Sequence, residues 1–507
     1  MLWSPARPKR DSDRATADRG LCNTRHQRQQ SRPRQLGRSD AHGNQDPARL
    51  CRDLQPREIS WHAKLGERLG CPAGLSASHL WAQGEWTNDT QMAICIAEET
   101  ATGSRDPAAI GDRFLDWFHG DQQDVGIQTR RVLVQASNGS ELTAIAAGDY
   151  ERHPRGAAGN GSLMHTAPVA LAHLGDDAAI ADFAMKVSAL THGDPLAGEA
   201  CVLWCIAIDR AVREGRLDGV KDGLNSLPAR KRDFWDATLT EAETNSPKTF
   251  RPNGFIVPAL QAAYASVMQT PTPRSQPCRH LQDALRTAIS IGGDTDTVAA
   301  IAGALLGARW GSSAVPLEWR HVMHGWPGYR TRDLVRLAIL SSHEGKNAVQ
   351  TWPRAERMLS DYENKWRPEG IAKPLPSDEG VLIGDVKGLR GRGGDADVVV
   401  SLCRMGTLDV TAPERHEIWL IDENDPCANP NLDFILEDTA GFIAARRAVG
   451  QTVFLHCVRA ESRTPVVAAA YLRLKGSSPE EALAEVHGLL PDSRINGTFK
   501  RAIRGTA

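Results

Sequence analysis

No apolar run in the 507 residues approaches the roughly 18–20 needed to span a bilayer, so no membrane span is expected. The start of the chain, Met1-Leu2-Trp3-Ser4-Pro5-Ala6-Arg7, lacks the apolar core of a secretory leader. A dominant charge is missing too: 60 Lys and Arg face 62 Asp and Glu, a net of -2, which gives no global pull toward nucleic acid or acidic lipid. The ten cysteines lack the spacing of a disulfide framework and read as reduced thiols in a cytoplasmic protein. Cys201 and Cys205, four apart on an apolar stretch, read as two buried helical cysteines rather than half of a metal site.

What is present suggests more than one core. A chain this long exceeds one ordinary core, and 41% hydrophobic with 24% charged residues is a globular composition. Residues 1–60 hold 13 Lys and Arg against 7 Asp and Glu, a net of +6, which leaves -8 for the rest. Residues 1–65 are basic, poor in aliphatics and without a periodic apolar face, so they are expected to stay unordered. A nucleic-acid tether is the weaker reading of that arm.

Residues 66–345 carry alanine-rich segments with three-and-four apolar spacing, such as Val257, Leu260, Ala263, Tyr264 and Val267, and predict an all-α domain. Residues 346–378 hold Pro353, Pro368, Pro374 and Pro376 and read as a linker. In residues 379–507 the period shifts. Asp397–Leu402, Ile418–Ile421 and Thr452–Leu455 predict short buried strands, and Leu436–Ala448 and Pro465–Lys475 predict helices. That alternation implies a small α/β domain with a mostly parallel sheet.

Two acidic motifs stand far apart in the first domain, Gly84-Glu85-Trp86-Thr87-Asn88-Asp89-Thr90 and Gly292-Gly293-Asp294-Thr295-Asp296-Thr297, each leading into a helix. Clustered short oxygen-bearing side chains suit a hard cation such as Mg²⁺ or Mn²⁺. The simpler reading is capping, by Thr87 or Asp89 of a helix from Thr90 and by Asp296 of a helix from Thr297.

With Asp124-Val125-Gly126-Ile127-Gln128-Thr129, Gly159-Asn160-Gly161-Ser162-Leu163-Met164-His165, Thr191-His192 and Asn253-Gly254, these motifs follow one another in order. The stretch from Gly84 to Gly328 resembles the ADP-ribosylglycohydrolase family. The resemblance implies an all-α fold, two Mg²⁺ or Mn²⁺ ions held by Thr87, Asn88, Asp89, Asp294, Asp296 and Thr297, and an ADP-ribosylated protein or small ADP-ribose conjugate as substrate. It further implies substrate contacts at Gly159, Asn160, Gly161, Ser162, His165 and His192, and help with ribose chemistry from Asp124. Asn88 stands where the family has its first aspartate, which removes one negative charge from the metal shell. The family's opening Gly-rich motif and the glutamate near it have no counterpart; the Arg-rich segment stands in their place. A degenerate module that binds ADP-ribose without hydrolysis is the alternative.

In the second domain, Thr452-Val453-Phe454-Leu455-His456 reads as a strand, Cys457 to Arg463 as a turn, and Pro465 as the opening of a helix. Cys-x5-Arg between strand and helix resembles the phosphate loop of tyrosine and dual-specificity phosphatases. Backbone N–H groups at a helix start collect phosphate, and a cysteine in that field attacks as thiolate. The resemblance implies Cys457 as nucleophile, Arg463 as a two-pronged phosphate binder, Thr464 as hydrogen-bond donor to the thiolate, and a phosphorylated substrate. Asp425 is the expected general acid, with Asp422 the alternative. Ala460 replaces a usual glycine, at a cost of about 1 kcal/mol if the backbone there is left-handed.

Overall fold

Helix-forming sequence dominates from Asn88 to Ser342, where the computed structural model is predominantly α-helical. It describes residues 81–505 apart from Asp121, Gln123 and Arg155. The basic segment 1–65 lies outside the described residues. The principal helices are α1 (Asn88–Thr100), α2 (Pro107–His119), α3 (Pro195–Glu214), α4 (Ile256–Gln269), α5 (His280–Ser290), α6 (Thr295–Trp310) and α7 (Thr331–Ser342). A two-residue hairpin, β1 (His324–Gly325) with β2 (Tyr329–Arg330), precedes α7.

The hub is α3. Asp194 caps it by accepting from Leu196 N at 2.9 Å, Pro195 takes the first turn, and Gly215 ends it with φ +71°. Every residue from Ala197 to Ala211 is buried, and the charged ones among them are paired: Glu199 accepts from Trp235 Nε1 at 2.8 Å and Arg210 bonds Asp177. Cys201 and Cys205 lie in this stretch as buried helical cysteines. Trp204 reaches from α3 to α6, donating from Nε1 to Ile301 O at 3.0 Å. Around this axis α4, α6 and α1 complete a continuous apolar core. No helix among the described residues is long and apolar enough to cross a membrane.

Residues 346–378 depart from the linker reading. They hold α8 (Leu359–Trp366) and β3 (Ala372–Leu375), and Trp352, Ala355 and Met358 are buried, with Trp352 edge-on to Trp419 at 4.9 Å. The prolines misled because Pro374 sits in β3, an edge strand, where a missing N–H costs no ladder bond on the open side.

The sheet continues with β4 (Asp378–Asp385), β5 (Val398–Ser401), β6 (Glu414–Glu417) and β7 (Val453–Cys457), in the order β3-β4-β7-β5-β6. Only β3 and β4 are antiparallel; the other neighbours are parallel. The Val398-Val399-Val400 run is buried throughout, as a parallel strand covered on both faces should be. Helices α9 (Leu432–Ala448), α10 (Arg463–Leu474) and α11 (Pro479–Leu489) accompany the sheet. The strand expected at Ile418–Ile421 falls instead at Glu414–Glu417. As an edge strand, β6 pairs on one side only, and its polar side chains find partners outside the sheet. Ile418 and Leu420 are buried just beyond its end, with Ile418 N still donating to Ser401 O at 2.8 Å.

The helical and sheet parts are joined by reciprocal apolar insertion. Phe434 of α9 belongs to the helical core, and Leu317, from the short helix Leu317–Val322, belongs to the core of the sheet part. Around these, Asn431 Nδ2 donates to Trp310 O at 2.7 Å and Leu317 N donates to an Asp438 carboxylate oxygen at 2.9 Å. Arg446 is the polar centre of the junction. Its Nε bonds both Glu414 oxygens at 2.8 and 3.0 Å and its Nη1 bonds Glu318 at 2.8 Å.

Because Glu414 and Arg446 are mostly buried while Glu318 is partly exposed, their removal should differ. Arg446→Met strands the Glu414 carboxylate and should cost about 3–5 kcal/mol. Glu318→Gln should cost about 1 kcal/mol or less. Thermal unfolding of the two variants checks this; equal losses would contradict the assignment of Arg446 as the centre of the junction.

Candidate functional site

Both acidic motifs lie at helix starts, yet neither behaves as a cap. α1 begins at Asn88 and α6 at Thr295, earlier than the capping reading required, and the N-cap residues Thr87 and Asp294 make no side-chain cap bond. Instead Thr87 Oγ1 donates to Asp89 Oδ2 at 2.5 Å, and Asp294 Oδ2 accepts from Asn160 Nδ2 at 2.7 Å. The two helix N-termini therefore present carboxylates to a common region.

That region concentrates like charge. Asp89 is only 2% exposed, and burial, then Asp296 and Asp294, push its carboxyl up to about 8 against the opposing hydrogen bonds of Thr87 and Thr297. Burial, with Asp296 adding to it, lifts Asp294 to about 6, although the Asn160 hydrogen bond pulls the other way. Asp124 is raised by burial and then by Asp296. Asp89 Oδ1 is buried with no hydrogen-bond partner. A buried orphan oxygen among carboxylates and threonine hydroxyls fits a hard divalent cation, whose charge would offset the mutual repulsion. Asn88, also buried, adds an amide next to Asp89.

Asn253 sets the geometry of the second motif. Its Oδ1 accepts from Asp294 N at 2.8 Å, its Nδ2 donates to Gly292 O at 3.1 Å, and its carbonyl accepts from Asn160 Nδ2 at 3.0 Å. Gly292 and Gly293 have φ of +81° and +83°, and a Cβ on Gly293 would lie 2.5 Å from Asn253 Oδ1. Only glycine lets the chain pass this close to the amide. The sequence displayed Asn253 within a motif but gave no hint of this clamping role.

The expected substrate-binding residues divide into two groups. Gly159 and Gly161 lie against the His192 ring, where a Cβ on Gly161 would come within 3.0 Å of Cε1. His192 Nδ1 is 2.8 Å from Thr191 Oγ1, and burial holds the ring near 4, so it is neutral at ordinary pH. Asn160 joins this loop to Asp294. Ser162 and His165, by contrast, are fully buried: Ser162 Oγ is 3.5 Å from Cys201 Sγ, and His165 packs edge-on against Phe114 at 5.3 Å. They support the loop from beneath.

In the sheet part, β7 ends at Cys457 and α10 begins at Arg463, with a five-residue loop between them. Ala460 has φ +57°, the left-handed conformation that its replacement of glycine made costly. Cys457 is buried and lies opposite Asp385 in the β4–β7 register. His456 Nε2 is 2.7 Å from Ser401 Oγ, and burial pushes the ring down to about 3. Arg463 Nη1 donates to Leu402 O at 3.2 Å, while its Nε is buried without a partner.

Two expected roles meet different surroundings. Thr464 Oγ1 donates to Gly384 O at 3.1 Å, which commits its proton to β4. Ser462 Oγ, within the loop, is buried and carries no hydrogen bond. Asp425 is exposed and caps a turn by accepting from Cys427 N at 2.9 Å. Of the two aspartates, Asp422 is the one that acts electrostatically on Arg463, and it accepts from Asn496 Nδ2 at 3.0 Å. Sequence spacing favoured Asp425 as the general acid, whereas the charge that acts on Arg463 is that of Asp422.

Among the described residues, one group of His, Cys, Asp or Glu places three ligand atoms within 4.8 Å of one another: His321, Glu414 and His416. Sequence reading missed it because His321 is far along the chain from the other two.

Residues 40–348 match the model of the ADP-ribosylglycohydrolase family. Over 237 residues the chain is 27% identical to the ADP-ribosyl-[dinitrogen reductase] glycohydrolase of Rhodospirillum rubrum, covering 46% of this chain and 72% of that protein. Over 251 residues it is 30% identical to ADP-ribosylarginine hydrolase Tri1 of Pseudomonas putida (strain GB-1), covering 47% of this chain and 62% of that protein. A crystal structure of human DUSP28 aligns with 27% of this chain and 92% of its own, at 21% identity and a TM-score of 0.23.

The Asn253 clamp makes a local prediction. Gly293→Ala adds a Cβ against Asn253 Oδ1 at positive φ and should cost about 2 kcal/mol or more. Mn²⁺ affinity should fall with it, as Asp294 is displaced. Gly254→Ala has open space for its Cβ and should leave stability within about 0.5 kcal/mol. Thermal unfolding and Mn²⁺ titration of both variants measure the contrast.

Proposed function

This chain belongs to the ADP-ribosylglycohydrolase family, and from that premise we propose that it is a cation-dependent hydrolase releasing ADP-ribose from a modified protein or a small conjugate. The observation that carries this reading is the convergence of Asp89, Asp294 and Asp296 at two helix starts, with a buried carboxylate oxygen left unpartnered. Two relatives named as ADP-ribosyl hydrolases support it. Thr87, Asn88, Asp89, Asp294, Asp296 and Thr297 would hold two Mg²⁺ or Mn²⁺ ions. Once bound, such ions supply Lewis-acid charge to the sugar hydroxyls and to water at the anomeric carbon.

The chain's own groups do the rest. Gly159, Asn160 and Gly161 bring backbone close to the ligand phosphates. Neutral His192 orients hydroxyls without adding charge. Asp124, whose raised proton affinity comes from burial and Asp296, exchanges a proton at the ribose. Asn88 contributes a neutral oxygen where an anion is usual, which favours weaker cation binding. In the extreme this would leave a binder that retains ADP-ribose without turnover.

The second activity we propose is metal-independent phosphate-ester hydrolysis in the sheet part. The β7–loop–α10 arrangement with Cys457 at the strand end supports it. Cys457 Sγ bonds to phosphorus as the ester oxygen leaves with a proton from Asp422. Water, losing a proton to the Asp422 carboxylate, then attacks the cysteinyl phosphate; the S–P bond breaks, releasing phosphate and restoring the thiolate and the protonated acid. Arg463 spans two phosphate oxygens. We read the helical part and the sheet part, the latter including β3, as the two functional modules and the cytoplasm, which keeps thiols reduced, as their setting.

The deciding assay incubates the full chain, with Mg²⁺ or Mn²⁺, with ADP-ribosylated arginine and serine substrates. Release of ADP-ribose is expected, with a loss of about a hundredfold or more in Asp294→Asn or Asp296→Asn. Wild-type turnover in both variants would sink the metal-hydrolase reading, and tight ADP-ribose binding without release would select the binder. Asn88→Asp should strengthen cation binding.

Hydrolysis of a small aryl phosphate by the full chain should persist in EDTA and vanish in Cys457→Ser. Arg463→Lys should be severely impaired, because an ammonium cannot span two oxygens. Asp422→Asn should slow esters with poor leaving groups more than those with good ones, and Asp425→Asn should show no such selectivity. A signal that survives Cys457→Ser would exclude the loop as its source.

A further inference from the structure

Away from both sites, three side chains from two parts of the fold aim ligand atoms at one spot. His321 is next to last in the short helix Leu317–Val322 of the helical part. Glu414 and His416 stand two apart on edge strand β6, so the pleat puts them on one face. His321 Nδ1 lies 3.2 Å from Glu414 Oε1, and His416 Nε2 lies 2.9 Å from the same oxygen. A tetrahedral ion with ligands at about 2.0–2.1 Å spaces its ligand atoms about 3.3 Å apart. The two separations to Glu414 need only a few tenths of an ångström of expansion to admit one, and all three ligand atoms lie within 4.8 Å of one another.

The surroundings suit such an ion. Phe442 packs edge-on against His416 at 4.6 Å and fixes the ring, whose tilt relative to His321 is 46°. Arg446 also contacts Glu414, but its charge is shared with Glu318, and a carboxylate has about four lone-pair positions, so Oε1 can ligate and keep the guanidinium. A hydrogen-bonded outer partner of this kind orients a ligating carboxylate. His416 is well buried, whereas His321 is partly open to solvent, which leaves one side of the site accessible for entry and a fourth ligand.

We propose that His321, Glu414 and His416 form a site for a zinc-class divalent ion that ties the helical part to the edge of the sheet. Two imidazoles with one carboxylate select borderline ions such as Zn²⁺ over Mg²⁺. The oxygen-only cluster of Asp89, Asp294 and Asp296 has the opposite preference, so the chain sorts two metal classes by donor type. Because the ligands come from both sides of the junction, the ion stabilises that junction by mass action. The proposal is independent of either hydrolytic activity.

The test uses the full chain carrying Cys457→Ser, Cys427→Ser and Asp294→Asn, which removes the loop thiol and the exposed thiol and impairs the oxygen site as alternative zinc ligands. After chelator treatment it is titrated with Zn²⁺ alone, with bound metal counted by elemental analysis. One zinc per chain and a rise in Tm are expected. His321→Asn or His416→Gln in the same background should weaken zinc binding by about tenfold or more and remove the Tm rise. Should His416→Gln fail to fold, the more exposed His321→Asn decides alone. Co²⁺ should give the visible bands of a tetrahedral site, lost in the histidine variants. No zinc in the starting background, or undiminished zinc affinity in the folded histidine variants, overturns the proposal.

Discussion

Like charge held out of water is the constraint on which the helical part of this molecule turns. Asp89, Asp294 and Asp296 are forced into one region, and two of them hold protons far more tightly than exposed carboxylates do. Two features of the fold make the arrangement tolerable. The N-termini of α1 and α6 both face it, each bringing roughly half a positive charge from its aligned peptides. Asn253, accepting from Asp294 N, and Asn160, donating to the Asp294 carboxylate, then fix the second motif. The surrounding helices are centred on α3, buried from Ala197 to Ala211. A dication is the ligand that such a cradle suits.

The sheet part is organised around a strand end rather than a pair of helix starts. It ends a buried central strand at Cys457 and starts a helix at Arg463, leaving a short loop whose backbone is strained at Ala460. The cost of that strain is small against the anchoring around it. Asp385, opposite Cys457, accepts from Glu369, Gly370, Ile371 and Gly388 N–H groups and pins the neighbouring strand end.

Much of this was legible because it follows from period and composition. Val398-Val399-Val400 announced a strand buried on both faces, and the Asp294-Thr295-Asp296 triplet exceeded what one helix cap needs. What escaped was set by tertiary context. The edge strand reads Glu414-Arg415-His416-Glu417, polar at every position, because its partners come from α9 and the helical part; the apolar Ile418–Ile421 drew the prediction past it. Prolines at 353, 368, 374 and 376 suggested a linker, while the buried Trp352 and Met358 beside them weighed less than they should have. Asp425 and Asp422 are chemically alike, and only the fold distinguishes the turn cap from the carboxylate whose charge acts on Arg463. Ser162 and His165 belong to a motif whose exposed face is its glycines, a division that residue type does not reveal. His321 and the Glu414–His416 pair share no spacing rule, since the junction alone brings them together.

The exchange of Phe434 for Leu317 between the two cores has a consequence for biosynthesis. Phe434 seals the helical core from about 90 residues beyond Ser342, the end of α7. At roughly 5–20 residues per second, the ribosome leaves that socket open for roughly 5–20 s after the last helix has emerged. Throughout that interval the nascent chain displays the apolar opening that Phe434 will fill beneath Arg279, together with an unmatched Leu317. A stalled or truncated product keeps both exposed, as a handle for chaperones and proteases. Completion of the second part is therefore also what releases the first from surveillance.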